Sequence, residues 1–218
     1  MKKIMFNTKY GLERAVLEGR KTQTRRVIKS LNNAYNIDSI EVGIDGHGKI
    51  YFTPYIEGKP TQDIYPTYQL EEVAVAQSYD DIYMEKNAPC PIPDEYRLNA
   101  YNKGFNQGHK GWNNKMFVLP ADMPFRITIN NIRIERLQDI SEEDCLAEGV
   151  YYHTEPPKHH ECDRYSPWNP SVKPYKFESK KYFCSAKYAF KHLIEKVSGK
   201  GTWDSNPWVF VYDFELIK

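Results

Sequence analysis

Residues 18–26 read EGRKTQTRR and hold reactive side-chain types at close spacing. Lys21 and Thr24 stand three residues apart, with Arg25 and Arg26 directly after them and Gly19 shortly before. A threonine hydroxyl is a poor nucleophile until a base takes its proton, and a neutral lysine can serve as that base. Burial beside other cations lowers a lysine pKa, so Arg25 and Arg26 would favour the neutral form in a closed pocket. Lys21, Arg25 and Arg26 could equally hold phosphates. The plain alternative is a solvated helix end, where basic side chains suit the helix dipole and threonine suits the strand that follows.

A second cluster consists of His153, His159, His160 and Cys162, with Cys184 beyond. Zinc accepts both ligand types, but this spacing fits no standard site and the segment is rich in prolines and charges. The expectation is therefore no metal and no cofactor. The four cysteines, Cys90, Cys145, Cys162 and Cys184, are irregularly spaced and form no C-x-x-C. In a chain of 218 residues that is no disulfide framework, which points to a reducing cytoplasm.

A hydrophobic content of 40% supplies one sizeable core, hence one domain with insertions. The formal net charge of +1 creates no global field, so any nucleic-acid binding must come from a local patch. The opening MKKIMFNTKY has too short an apolar stretch for a signal peptide, and no window approaches a membrane span. A soluble cytoplasmic protein without a membrane partner is expected; the oligomeric state stays open. The 17 tyrosines, 4 tryptophans and 14 prolines crowd into 51–68, 79–125 and 151–183, which read as long ordered loops.

Several elements must position the reactive segment. Ile4, Met5 and Phe6 predict a short strand, and Asn7 or Thr8 is placed to cap a helix carrying Leu12, Ala15 and Val16 on one face. Gly19 ends that helix before a strand from Thr22. Residues 30–67 look irregular apart from the turn IDGHGK, and 80–124 dissolve into Pro, Gly, Asn and aromatics. Val73 to Gln77 predicts a buried strand. From Phe125 to Leu137 the apolar phase shifts after Asn130-Asn131, which predicts a bulge or bend. Ser141-Glu-Glu-Asp144 has the form of a capping box, opening a short helix that Gly149 closes. Ala186, Ala189, Phe190, Leu193, Ile194 and Val197 predict the longest helix, ended by Gly199, and a final strand starts at Trp208. The class is α+β: short helices around a mostly antiparallel sheet or barrel.

Gly19-x-Lys21-x-x-Thr24-x-Arg26 resembles the G-x-K-x-x-T-x-R signature of the ASCH family. Three other stretches resemble the larger ASCH proteins of bacteria and phages: Tyr68 to Val75, Leu137 to Val150, and Gly199 to Val211. Together they cover roughly half of the chain, in the family's order. The resemblance implies a single ASCH domain over 1–218 with a PUA-like β-barrel, elaborated by long inserted loops at about 30–67, 80–124 and 151–183. It implies a basic cleft for RNA, a nucleotide or a modified nucleoside, and no metal. Some small members resemble amidohydrolases that deacetylate N4-acetylcytidine; their catalytic lysine, threonine and glutamate map onto Lys21, Thr24 and Glu148. Gly19, Arg25 and Arg26 would complete the cleft, and Tyr68, Tyr79 and Trp203 could stack on bases. Gln77 stands where the family often has a glutamate, which removes one charge. The insertions leave a third option, a phage or mobile-element accessory protein acting through its loops.

Overall fold

The computed structural model describes residues 1–31, 36–152, 165–166, 183 and 185–217. The predicted histidine–cysteine cluster and most of the third insertion lie outside the described residues. The architecture is α+β.

The main sheet has five strands: β1 (Lys2–Ile4), β2 (Gln23–Val27), β6 (Glu72–Val75), β7 (Arg126–Arg136) and β10 (Trp208–Ile217). Their spatial order is β1-β6-β7-β10-β2. Only β1 and β6 run parallel; the other pairs are antiparallel. Among the described residues no ladder joins the edge strands β1 and β2, so the sheet is open where a closed barrel was expected. A side chain spans part of the gap: Arg26 on β2 donates from NH2 to the Met5 carbonyl, just past β1, at 2.8 Å.

The bulge falls where the apolar phase predicts it. Asn131 pairs with Asp213 and Ile129 with Phe214, which leaves Asn130 as the extra residue. Ile127 and Ile129 are buried before it, and Ile132 after it. The bulge thus keeps apolar side chains on the core face while turning Arg133 and Glu135 to the other.

Helix α1 (Leu12–Leu17) connects β1 to β2. Its N-cap is Gly11 with φ 68°, not Asn7 or Thr8, and no side chain caps it. Thr8 instead donates to the buried Glu13 carboxylate, which also receives Lys115 at 2.6 Å.

The described residues of the 30–67 stretch are not irregular. They build a three-stranded sheet from β3 (Ser39–Ile44), β4 (Ile50–Ile56) and β5 (Lys59–Pro60). Asp45 organises the β3–β4 turn by accepting from the His47 and Lys49 amides at 2.9 Å. Pro54 has no amide to donate, yet its carbonyl still accepts from Thr61, so the proline does not end the sheet.

The 80–124 stretch is also ordered, as α2 (Tyr79–Tyr83), α3 (Asp94–Ala100), a π-helical segment at Tyr101–Asn106 and three short 3-10 turns. Ser78 and Asp81 form a reciprocal capping box on α2. Asp122 anchors the insertion by accepting from Tyr79 at 2.7 Å, Asn99 at 2.9 Å and Lys103 at 2.8 Å. Helix α4 (Glu142–Ala147) starts at Ser141, whose hydroxyl accepts from the Asp144 amide. A two-strand ladder, β8 (Tyr151–Tyr152) with β9 (Tyr165–Ser166), follows it. Helix α5 (Ala186–Ser198) buries Ala186, Ala189, Phe190, Leu193 and Ile194 of the predicted stripe, while Val197, in its last turn, is exposed.

Candidate functional site

Two glycine-assisted chain reversals bring the site together. At the end of α1, Gly19 takes φ +73°, and the amides of Arg20 and Lys21 both return to the Ala15 carbonyl. This turn directs Lys21 inward, where it is only 2% exposed. At the end of α4, Gly149 takes φ +100°, a conformation other residues rarely adopt. A Cβ there would meet Leu12 at 3.3 Å and Lys21 at 3.6 Å, so the backbone passes close against the lysine stem. The Thr22 amide donates to the Ala147 carbonyl at 2.9 Å and locks the two reversals together.

Lys21 Nζ then finds three acceptors: the Gln23 carbonyl at 2.6 Å, the Glu148 carbonyl at 2.8 Å and Glu148 Oε2 at 2.5 Å. Three acceptors match the three donors of an ammonium group. Burial pushes the Lys21 pKa below the ordinary lysine value; the Glu148 carboxylate opposes that shift, and the Arg26 and Arg25 charges add to it. The pair is a buried cation and anion sharing one proton-bearing contact.

A second layer holds the glutamate. Arg25 donates from NH1 to Glu148 Oε1 at 3.2 Å and to the Gln23 side-chain oxygen. Its other face reaches Glu135 Oε1 at 2.5 Å and Asp144 Oδ2 at 2.8 Å. Arg133 joins from β7, donating to Asp144 Oδ2 at 2.7 Å and Asp213 Oδ2 at 2.8 Å. Gln23 Nε2 ties Asp213 to Asp144 at 2.6 Å and 3.1 Å. Burial alone would depress the Arg25 pKa, but the surrounding carboxylates outweigh it and hold the guanidinium charged. The sequence marks none of Gln23, Arg133, Glu135 and Asp213 as a site residue, and Asp144 only as the acid of the capping-box pattern. The available signal was Arg133 and Glu135 alternating with Ile132 and Ile134, and Asp213 set among the apolar residues of β10.

A cavity of about 700 Å³ opens beside this pair. Lys21, Thr24, Arg25, Arg26 and Glu148 line one part of it, and Phe190, Leu193, Ile194 and Val197 of α5 line another. Lys21, Thr24 and Glu148 therefore share one cavity, although none of the three bonds made by Lys21 Nζ goes to Thr24.

The remaining candidates divide. Arg26 lines the cavity, and Gly19 shapes the turn leading to it. Tyr68 lies in an adjoining cavity, its hydroxyl donating to the Lys3 carbonyl at 3.1 Å and its ring edge-on to Tyr212 at 5.5 Å. Trp203 packs edge-on to Phe190 at 6.3 Å, behind the apolar wall. Tyr79 is 1% exposed with its hydroxyl on Asp122, so it offers no face for a base to stack on. Gln77 is fully buried outside the cavity lining, and its amide group has no partner among the described residues. Among the described residues no His, Cys, Asp or Glu group is arranged to hold a metal ion, and no helix is long and apolar enough to cross a membrane.

No protein-family model, curated protein or solved structure gives a significant match to the chain.

The polar layer has a pH signature. Burial pushes the Asp144 carboxyl up, but hydrogen bonds from Arg25 and Gln23 and the two guanidinium charges hold it below 3.8. A depressed carboxylate contributes stability that is present above its unfolded pKa and lost as pH falls through the folded value. We expect Asp144→Asn to lower the melting temperature at neutral pH and to flatten its decline below about pH 4, the unfolded aspartate range. A melting-temperature series from pH 7 to pH 2.5 checks this; parallel wild-type and variant curves would contradict it.

Proposed function

We propose that the chain is an ASCH-domain protein of PUA-like kinship whose cavity binds a nucleobase as part of a nucleoside or nucleotide. One observation carries the reading: Lys21 and Glu148, 127 residues apart, meet at 2.5 Å on the wall of the same cavity that Thr24 lines. The signature and the helix resemblance had named these residues independently of any geometry.

The cavity chemistry supports the assignment. Small-molecule pockets of about 300–1,000 Å³ combine apolar walls with a few fixed polar groups. Here Phe190, Leu193 and Ile194 offer an apolar wall for a base, while Thr24 and the Lys21–Glu148 pair can read its polar edge. Calorimetric titration with cytidine, N4-acetylcytidine and uridine tests this, with saturable binding of at least one expected and weakening by Thr24→Val. Absence of binding by all three sinks the reading.

A second reading, hydrolysis of an acylated cytidine, is favoured by the Lys21–Glu148 contact itself. Transfer of a proton along it gives a neutral amine and a neutral acid. Thr24 Oγ1 would then bond the acyl carbon while its proton passes to Lys21. The amine would leave with the proton of Glu148, restoring the ion pair, and water would release the acid from Thr24. Lys21 must first exchange one of its present acceptors for Thr24. Release of acetate from N4-acetylcytidine, abolished by Lys21→Ala with the fold intact, is the expected result. Saturable binding without turnover across a panel of acylated nucleosides removes the hydrolase and leaves the pocket.

A further inference from the structure

The nucleoside cavity has a neighbour. A second cavity, of about 270 Å³, is lined by Lys3, Met5, Arg26, Thr67, Tyr68 and Met116. Met5 and Arg26 line both cavities, so the two meet at these residues. The contact that brings them together is the bond from Arg26 NH2 to the Met5 carbonyl, across the open edge of the sheet. That bond uses one of the guanidinium's donors. Arg26 Nε is shielded from solvent and has no hydrogen-bond partner among the described residues. Because Nε is shielded, an anionic ligand would meet the guanidinium through its remaining Nη hydrogens, in a charge-assisted contact.

The geometry points to a second subsite, so that the site takes a single-stranded oligonucleotide step and not only a free nucleoside. This rests on the nucleoside reading of the larger cavity. One base occupies the Lys21–Thr24–Glu148 cavity, the linking phosphate lies against Arg26, and the adjoining base packs on Tyr68 between Met5 and Met116. Three features of the smaller cavity fit that occupant. Tyr68 is fixed at both ends, by its hydroxyl bond to Lys3 and its edge contact with Tyr212, which makes a rigid aromatic surface. Met5 and Met116 are exposed, adaptable apolar side chains on the same cavity. The only other cation there, Lys3, already spends its ammonium on the carbonyls of Lys115, Met116 and Val118, so the phosphate contact falls to Arg26. The open edge between β1 and β2 is thus the place where a strand of nucleic acid passes from one cavity to the next.

The test compares cytidine, cytidine 3′-monophosphate, cytidine 5′-monophosphate and the dinucleotide CpC on the full chain, and reads the ratio of affinities within each protein. CpC is expected to bind about tenfold or more tighter than cytidine, the scale of one base stack plus one phosphate contact. The gain should fall with rising salt. It should drop below about threefold in Tyr68→Leu and in Arg26→Gln, since each removes one of those two contacts. Equal binding of CpC and cytidine overturns the second subsite while leaving the nucleoside pocket standing. A monophosphate as tight as CpC overturns the placement of a base on Tyr68. CpC binding that depends on Arg26 and Tyr68 but is untouched by Thr24→Val keeps the subsite and removes the nucleoside pocket. Binding of none of the four ligands overturns both.

Discussion

Glu148→Ala is expected to destabilise the protein by about 3–5 kcal/mol, the usual cost of leaving a buried charge without its partner. Lys21 would keep two carbonyl acceptors but lose the one carboxylate bonded to it among the described residues, at a position 2% exposed. Lys21→Met should cost less than Glu148→Ala. It removes the buried cation and keeps most of the volume, while Glu148 retains Arg25 at 3.2 Å. The glutamate is also the main influence holding the Lys21 pKa up against burial, so its removal lowers that pKa further. A lysine whose folded pKa lies below its unfolded value penalises folding while it stays charged, and stability rises with pH through that window. The Glu148→Ala deficit should therefore shrink as pH rises above neutrality. Chemical denaturation at pH 6, 7.5 and 9 measures this. A loss under about 1 kcal/mol, or one independent of pH, would show that Lys21 and Glu148 are not coupled as described.

The second large effect is expected at Arg25. Arg25→Ala leaves Glu135, Asp144 and Glu148 around a vacated centre, with Arg133 answering only the outer two. The loss should be at least about 3–5 kcal/mol at neutral pH and should diminish on acidification, because crowded carboxylates bind protons readily once their cation is gone. Arg25→Lys should recover little of it. One ammonium cannot span four side-chain acceptors on two sides of a planar group. Arg25→Lys within about 1 kcal/mol of the wild type would refute this account of the layer. Both arginine variants should also impair ligand binding, since Glu148 would lose the bond that orients its second oxygen.

The sequence disclosed the parts of the fold that follow from period and punctuation. The phase shift at Asn130 announced the bulge, Gly19, Gly149 and Gly199 marked three helix ends, and the Phe190–Leu193–Ile194 stripe marked the longest helix. The small sheet of β3, β4 and β5 was hidden because Pro54 and Pro60 look like breaks, whereas in the structure a proline carbonyl still joins the ladder. The short helices between Tyr79 and Asp122 were hidden because, apart from the Ser78–Asp81 capping box on α2, they lean on a tertiary anchor, Asp122, and carry no apolar period. Within the site, Lys21 and Thr24 were legible from type and spacing and Glu148 from resemblance. The layer beneath them was not, since Arg133, Glu135, Asp144 and Asp213 converge only when three strands and α4 are in place. Tyr79 was misjudged for a related reason: an aromatic side chain carries no mark of which way it faces.

The strand order also sets an order of assembly. Among the described residues β2 is an edge strand whose sole ladder partner is β10, with Arg25 opposite Val211 and Thr24 opposite Tyr212. The segment that carries Lys21 and Thr24 therefore waits, through the synthesis of more than 180 intervening residues, for the strand it docks on. Contacts so distant along the chain form late and slowly. During that wait Lys21 and Arg25 are solvated, and their carboxylate partners Glu135, Asp144 and Glu148 are still unmade or unplaced. Ribosome-bound chains truncated before Trp208 should accordingly leave Lys21 open to acylating reagents, and its protection would report the moment the sheet is complete.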